Sequence, residues 1–206
     1  MEFVFEIPNN LSDELCDEII ARFEKDSDIK PGVVGGGGDG ADIKPIVSPI
    51  KTSLDLAISG KCKWKDIDEI LHDKLKEGID KYTDHLKKLF GGSPLEPMLS
   101  SRDCRDSGYQ IQKTVKGGFY SWHSDSCTRD SRFLTFVWYL SSHCSFSEGG
   151  GTGFHPLVGD GGKVVVPEKG KLLIFPATWT YIHAGLPYFG EGTKYICTGW
   201  LHSSNS

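Results

Sequence analysis

The sequence has 206 residues, of which 38% are hydrophobic and 25% are charged, and its formal net charge is −5 at pH 7. This composition is sufficient for one domain with a sizeable core, and the 25 glycines favour a loop-rich protein dominated by β-structure. There is no long basic run, no stretch of the roughly 18 apolar residues that cross a membrane, and no pattern of a signal peptide at the start, so we expect neither nucleic acid nor a membrane as partner.

The first 107 residues are predicted to support the fold with helices and a few strands. After a short N-terminal strand, Ser12 is a typical helix N-cap. Apolar residues follow it at helical spacing: Leu15, Ile19, Ile20 and Phe23. A second, longer helix is predicted over residues 66–90, with Gly91 as its stop. Its apolar stripe contains Ile67, Ile70, Leu71, Leu75, Ile79, Tyr82, Leu86 and Leu89. We expect both helices to pack against the outside of a β core, and His72 and His85 to lie on the surface.

Between the two helices lies a glycine-rich segment, residues 31–42, which we predict to be flexible. Its successive glycines are costly to order because each loses much conformational freedom. Two interpretations are open: a plain surface loop, or a lid over an active site, since lids need hinge freedom. Residues 52–58, which follow it, alternate like a strand.

The second half of the chain, residues 108–201, is rich in short predicted strands. Glycine, proline and serine separate them, as is typical of all-β domains. The predicted strands cover residues 109–115, 132–140, 152–156, 163–166, 171–175 and 194–201. We therefore expect a mainly β protein with flanking helices (α+β), with a double-stranded β-helix, a jelly roll of the cupin kind, at its core. We expect one domain over residues 1–206, with a frayed tail at 202–206.

A metal-binding motif follows the first strand of this half. His123 and Asp125 lie two residues apart, and in an extended chain such residues point to the same side. Alone, this triplet is common in a chain with seven histidines and 28 acidic residues. A second imidazole, His183, follows a predicted buried strand, and Lys194 lies one strand further on. Two imidazoles and one carboxylate suit Fe(II) and leave open positions for other ligands.

In this order, His123-Ser124-Asp125, His183 and Lys194 resemble the pattern of the Fe(II)/2-oxoglutarate-dependent dioxygenases, in particular the prolyl 4-hydroxylase-like branch. The resemblance extends over residues 109–201. It implies that His123, Asp125 and His183 hold catalytic Fe(II), and that 2-oxoglutarate is a co-substrate converted to succinate with loss of CO2. Ascorbate is a further cofactor that the resemblance suggests.

The resemblance also assigns residues to the two small-molecule sites. Lys194 would pair with the far carboxylate of 2-oxoglutarate, and the hydroxyls of Tyr139 and Thr198 would join that contact. Tyr120 and Trp200 match positions that line the substrate pocket. The plain alternative for Tyr139, Tyr120 and Trp200 is that each is a core aromatic residue.

The implied substrate is a proline-containing peptide or protein, hydroxylated at C4 of the prolyl ring. Two departures from the pattern keep other substrates open. Thr114 stands where many relatives have a tyrosine, and the spacing from His183 to Lys194 is one residue longer than usual. A hydroxylase of a free amino acid or small metabolite is the first alternative. A non-catalytic jelly-roll binding module is the second, although it would not need the full set of ligands.

The chain contains six cysteines, whose spacing bears on disulfide formation and zinc binding. They lie at positions 16, 62, 104, 127, 144 and 197 and form no Cys-x-x-Cys pair. Neither a zinc knuckle nor a disulfide framework is predicted. We expect reduced thiols in a cytoplasmic protein.

Overall fold

The structure is a computed structural model that describes residues 2–35, 46–91, 104–126, 131–142, 146–157 and 162–203. Two α-helices lie within these ranges: α1 is Asp13–Phe23 and α2 is Lys65–Phe90. The strands are β1 Phe5–Ile7, β2 Lys30–Pro31, β3 Val33–Val34, β4 Ile46–Val47, β5 Leu54–Ala57, β6 Cys104–Asp106, β7 Gln110–Thr114, β8 Tyr120–His123, β9 Arg132–Tyr139, β10 Thr152–Phe154, β11 Lys163–Val165, β12 Leu172–Pro176, β13 His183–Gly185 and β14 Lys194–Ser203.

Local sequence signals determine where the helices begin and end. The Ser12 hydroxyl accepts a hydrogen bond from the backbone N–H of Leu15 at 3.2 Å, which confirms the predicted N-cap of α1. Helix α2 ends at Gly91, whose φ of 55° lies in the left-handed region, again as predicted. Its apolar stripe is narrower than predicted. Ile70 and Leu89 remain 40% and 39% exposed, because they lie at the margins of the face that meets the core.

The outer side of α2 faces solvent. Among the described residues, no helix is long and apolar enough to cross a membrane. His72 is exposed, as predicted, and its Nδ1 lies 3.2 Å from the Asp106 carboxylate. His85 differs from the prediction of a plain surface residue, because its ring stacks on Phe5 with centroids 4.6 Å apart.

The larger of two main sheets has the antiparallel order β1-β12-β9-β14-β7-β5-β2, and β6 also pairs with β14. Both helices cover one of its faces, where Phe23 and Leu75 join a core cluster that includes Trp138. Gly78 lets α2 approach β12, since a side chain there would overlap Leu172. The prediction that the helices support the outside of the β core is confirmed.

The smaller sheet has the order β11-β10-β13-β8 and faces the other side of the larger one. A second apolar cluster joins the two sheets, with Val137 and Phe175 from the larger and Phe154 from the smaller. Within the described ranges the sheets do not close into a barrel. Strands β3 and β4 form a separate two-stranded pair. The site described below lies between the two main sheets.

The prediction of a flexible segment over residues 31–42 fails for the first of these residues. Pro31 belongs to β2 and Val33–Val34 form β3, so the predicted loop is wrong for these residues. Residues 36–45 lie outside the described ranges, and the lid stays a prediction. The tail prediction is also wrong at its start, because His202 and Ser203 extend β14 by pairing with β6. Residues 204–206 lie outside the description.

Candidate active site

The three predicted metal ligands meet between the sheets. Strands β8 and β13 are antiparallel neighbours, and their register places His123 directly opposite His183. Asp125 follows β8 by two residues. One ligand atom from each of the three side chains lies within 4.8 Å of the others. Residues that are 60 positions apart in sequence are thus brought together by strand pairing.

The distances between the donor atoms fit a bound divalent metal. Asp125 Oδ1 lies 3.5 Å from His123 Nε2, and Asp125 Oδ2 lies 3.3 Å from His183 Nε2. A metal at about 2.1 Å from two ligands at right angles separates the donor atoms by about 3 Å. Only small adjustments are therefore needed for all three groups to bind one ion.

Backbone carbonyls orient both imidazoles. His123 Nδ1 donates to the Ser121 carbonyl at 2.8 Å, and His183 Nδ1 donates to the Tyr181 carbonyl at 3.0 Å. A carbonyl only accepts, so the proton resides on Nδ1 and leaves the Nε2 lone pair for a metal. Such outer partners fix the tautomer and the ring plane of metal-binding histidines.

The side chain of Asp125 is only 8% exposed. Burial alone would raise its pKa, but the nearby His183 and His123 outweigh burial and hold the pKa well below its usual value. Conversely, burial would lower the pKa of His183, but the Asp125 carboxylate raises it. The Thr135 hydroxyl donates to Asp125 Oδ2 at 2.6 Å, and Arg132 Nη1 donates to the Asp125 carbonyl at 3.1 Å. These two contacts hold the carboxylate in place from the larger sheet.

Lys194 lies in the same pocket and is suited to bind an anion. It is the first residue of β14 and is only 6% exposed. Burial lowers the pKa of its ammonium to about 8. Among the described residues, no carboxylate forms an ion pair with it. A buried ammonium without a partner is costly, and an incoming carboxylate would remove that cost.

The two hydroxyls predicted to assist Lys194 differ in position. Thr198 lines the pocket, and its hydroxyl donates to the Phe136 carbonyl at 2.8 Å, so its oxygen can still accept. Tyr139 is fully buried and lies behind the pocket wall. Its hydroxyl bonds that of Thr152 at 2.6 Å, and Thr152 lines the pocket instead. Tyr139 is thus linked to the pocket through Thr152, and its contact with 2-oxoglutarate stays a prediction.

Both aromatic residues predicted for the substrate side line the pocket. The Tyr120 ring stacks on the His123 imidazole, with centroids 3.7 Å apart and planes at 20°. Burial, and then the charges of Asp125 and Asp55, raise the pKa of Tyr120 to about 12, so the phenol stays neutral. Trp200 stacks under the Arg132 guanidinium, 3.8 Å from ring centroid to Cζ.

Sequence reasoning missed a polar cluster in the pocket wall. Lys51 and Ser53 line the pocket, and both contact Asp55. A signal was present, because Lys51 directly precedes the strand predicted over residues 52–58 and alternates with Ser53 and Asp55, so that in an extended chain the three share one side. The sequence does not show what this side of the strand contacts, so the pattern alone predicts no function.

Comparison with known proteins supports the resemblance identified from the sequence. Residues 109–202 match the family model described as the 2OG-Fe(II) oxygenase superfamily. The match contains the three metal ligands and Lys194, and it confirms the resemblance over this part of the chain. No curated protein matches the sequence significantly.

Solved structures resemble the fold over nearly the whole chain. A viral collagen prolyl hydroxylase from Paramecium Bursaria Chlorella virus-1, in its 2OG complex, is 20% identical, with 98% of this chain and 96% of that chain covered and a TM-score of 0.63. A Pseudomonas putida prolyl-4-hydroxylase is 17% identical, with 98% and 92% covered and a TM-score of 0.67. A Trichoplax adhaerens prolyl hydroxylase, bound to a peptide fragment of the hypoxia inducible factor oxygen degradation domain, is 16% identical, with 100% and 86% covered and a TM-score of 0.75. These likenesses confirm the predicted double-stranded β-helix.

Proposed function

We propose that this protein is an Fe(II)- and 2-oxoglutarate-dependent dioxygenase that hydroxylates a prolyl residue of a peptide at C4. The observation that carries the proposal is the convergence of His123, Asp125 and His183 in one pocket with the buried Lys194, which has no carboxylate partner in the described part of the chain. A binding module would need no metal-binding triad, and a structural metal site would keep no open pocket beside it.

The residues that would bind the iron and those that would bind 2-oxoglutarate come from different sheets. His123, Asp125 and His183 hold the iron, and Lys194 holds the far carboxylate of 2-oxoglutarate as a point charge. When bound, Fe(II), 2-oxoglutarate and O2 would supply the oxidising chemistry, in which one oxygen atom of O2 enters succinate as CO2 is lost and the other becomes the hydroxyl group of the substrate. The hydrogen bonds from Nδ1 of both histidines fix the tautomer in which Nε2 faces the metal.

The substrate side of the pocket supports a peptide. Tyr120 and Trp200 both line the pocket and supply aromatic surface beside the space for a saturated ring. Trp200 Nε1 is a buried donor that has no hydrogen-bond partner among the described residues. An unsatisfied buried donor costs about 1–3 kcal/mol, and a peptide carbonyl beside the bound ring would remove that cost. The names of the three similar structures, all prolyl hydroxylases and one with a peptide, point the same way.

The test compares a proline-rich peptide with free L-proline and other amino acids. Protein loaded with Fe(II) under exclusion of oxygen is mixed with 2-oxoglutarate, substrate and ascorbate, and then exposed to O2. Succinate is quantified, and mass spectrometry locates the added oxygen atom. We expect hydroxylated peptide with the wild type and no product with His123→Ala or with metal-free protein.

The outcomes separate the parts of the proposal. Turnover of 2-oxoglutarate by metal-free protein would refute the iron chemistry. Hydroxylation of a free amino acid alone would replace the peptide by the small-substrate alternative while leaving the iron site intact. Iron binding without any turnover of 2-oxoglutarate would favour the binding module.

A further inference from the structure

A buried ion pair lies in the pocket wall, and the proposed reaction gives it no role. Lys51 Nζ lies 2.6 Å from Asp55 Oδ2, and the two side chains are only 5% and 7% exposed. The Ser53 hydroxyl donates to the other oxygen, Asp55 Oδ1, at 2.7 Å. The desolvation of such a pair offsets most of its attraction, so stability alone is a weak reason for it.

Lys51 faces the Tyr120 ring, which covers the proposed metal ligand His123. Lys51 Nζ lies over the Tyr120 ring, 5.5 Å from its centroid. The Tyr120 ring also stacks on the His123 imidazole at 3.7 Å. An ammonium is attracted to the face of an aromatic ring, which draws Tyr120 into a defined position. The position of the ring therefore depends on Lys51, and that of the imidazole depends on the ring.

The backbone around Lys51 reinforces this contact. Lys51 forms a bridge with Tyr120, and the Ile50 carbonyl accepts from the Ser121 N–H at 2.9 Å. Thr52 binds Phe119 through both its backbone N–H and its hydroxyl. Residues 50–52 thus border β8, the strand that carries His123. The chain then crosses to the larger sheet, where β5 pairs with β7.

The cluster has no room to shift on its outer side. Gly32 is buried against it, and a Cβ there would lie 2.5 Å from Ser53 Oγ, 3.0 Å from Asp55 Oδ2 and 3.1 Å from Lys51 Cε. The glycine is needed for space, since its φ is not in the left-handed region. A methyl group at this position would force the Ser53 hydroxyl to move and would crowd both members of the ion pair.

The two metal-binding histidines differ in how they are supported. His183 is buried and packs edge-on against Phe175 of the core, with centroids 4.7 Å apart. His123 is half-buried, and its ring face is covered by Tyr120 instead. The ligand with less support from the core is thus the one that the Lys51 contact reaches.

We propose that Lys51 is a positioning residue for the metal site, which acts through Tyr120 on the imidazole of His123. Asp55, Ser53 and Gly32 hold Lys51 in place. The inference rests on the proposed function, because it assumes that His123 binds the metal. Outer partners of metal ligands typically change metal affinity by 10–100-fold when removed.

The test measures Co(II) binding by the metal-free protein, with no turnover required. The visible spectrum of Co(II) reports the geometry of its ligands, and titration gives the Kd. The main variant is Lys51→Met/Asp55→Asn, which removes the cation without leaving a lone buried charge. Gly32→Ala disturbs the same cluster from outside. Lys51→Arg keeps a cation over the ring. The control is Lys171→Met, because Lys171 is 5% exposed, pairs with Glu6 at 2.9 Å and does not line the pocket.

We expect about a tenfold or larger increase in the Co(II) Kd and an altered spectrum for the double variant and for Gly32→Ala. Lys51→Arg should retain the wild-type spectrum. Lys171→Met should change only the thermal stability. If folded Lys51→Met/Asp55→Asn or folded Gly32→Ala binds Co(II) with the wild-type Kd and spectrum, the proposal is overturned. If instead the wild type binds no Co(II), or binds it as well after His123→Ala, the metal site itself is refuted.

Discussion

Binding of 2-oxoglutarate should weaken as the pH rises from 7 to 9, because Lys194 loses its proton in this range. Burial lowers the pKa of Lys194 to about 8 in the ligand-free protein. The carboxylates of 2-oxoglutarate are ionised throughout, since ordinary carboxyl pKa values lie near 4. The pH-dependent partner in this contact is therefore the lysine.

The size of the effect follows from the protonated fraction. With a pKa of about 8, roughly nine-tenths of Lys194 is charged at pH 7 and roughly one-tenth at pH 9. If only the charged form binds, the Kd rises about tenfold over this interval. Lys194→Arg supplies the control, because a guanidinium stays protonated far above pH 9. Its Kd should stay level between pH 7 and pH 9, even if it is weaker overall.

The assay is calorimetric titration of 2-oxoglutarate into Mn(II)-loaded protein at several pH values. Mn(II) avoids turnover, and the arginine variant reports any effect of pH on the metal itself. A wild-type Kd that stays constant from pH 7 to pH 9 would contradict the assignment of Lys194. An equal rise in the arginine variant would move the cause to another group.

Three further predictions follow from the same pocket. Lys194→Met should stabilise the metal-free protein at pH 7 by about 3 kcal/mol in urea unfolding, because the lowered pKa means that burial of the charge is unfavourable below pH 8. This gain in stability should shrink as the pH rises from 8 towards 10.5. An unchanged urea midpoint at pH 7 would contradict the prediction. Trp200→Phe should raise the KM for peptide by roughly 5–100-fold while uncoupled succinate formation persists, since the indole N–H is lost together with part of the ring. An unchanged KM would show that the indole nitrogen has no acceptor on the substrate. Thr135→Val should weaken Co(II) binding by about 10–100-fold by removing the donor to Asp125, and an unaltered Kd would show that the carboxylate needs no such support.

Predictions from the sequence are most accurate for features that depend on a few adjacent residues. The N-cap at Ser12 and the end of α2 at Gly91 depend on a few adjacent residues, and both are confirmed. The metal ligands were found because their order along the chain resembles a family, and not because the sequence shows that they meet. Strands β8 and β13, which carry His123 and His183, were not predicted as strands, because they form by pairing with each other across 60 residues of sequence.

The other features that the sequence did not predict depend on contacts between segments that are distant in sequence. Tyr139 and Thr152 are brought together by the packing of the two sheets, so the burial of Tyr139 behind Thr152 has no signal near either residue. His202 and Ser203 continue β14 because β6 lies alongside them. The Lys51–Asp55 pair has a local pattern, but its meaning depends on Tyr120 and Gly32, which lie far away in sequence.

The two sheets contribute different parts of the site, so each sheet controls a different binding property. Both imidazoles lie on adjacent strands of the smaller sheet, so strand spacing sets their separation without help from flexible side chains. Lys194, Thr198 and Trp200 lie on β14 of the larger sheet, where side chains at alternate positions share one face. Variation along β14 can therefore change which acid and which substrate are bound without moving the metal. Residues 50–57 border both sheets, since 50–52 bond β8 and β5 bonds β7. A change in this segment should alter metal binding and substrate binding together, whereas a change on β14 should alter binding of 2-oxoglutarate or of the substrate without altering metal binding.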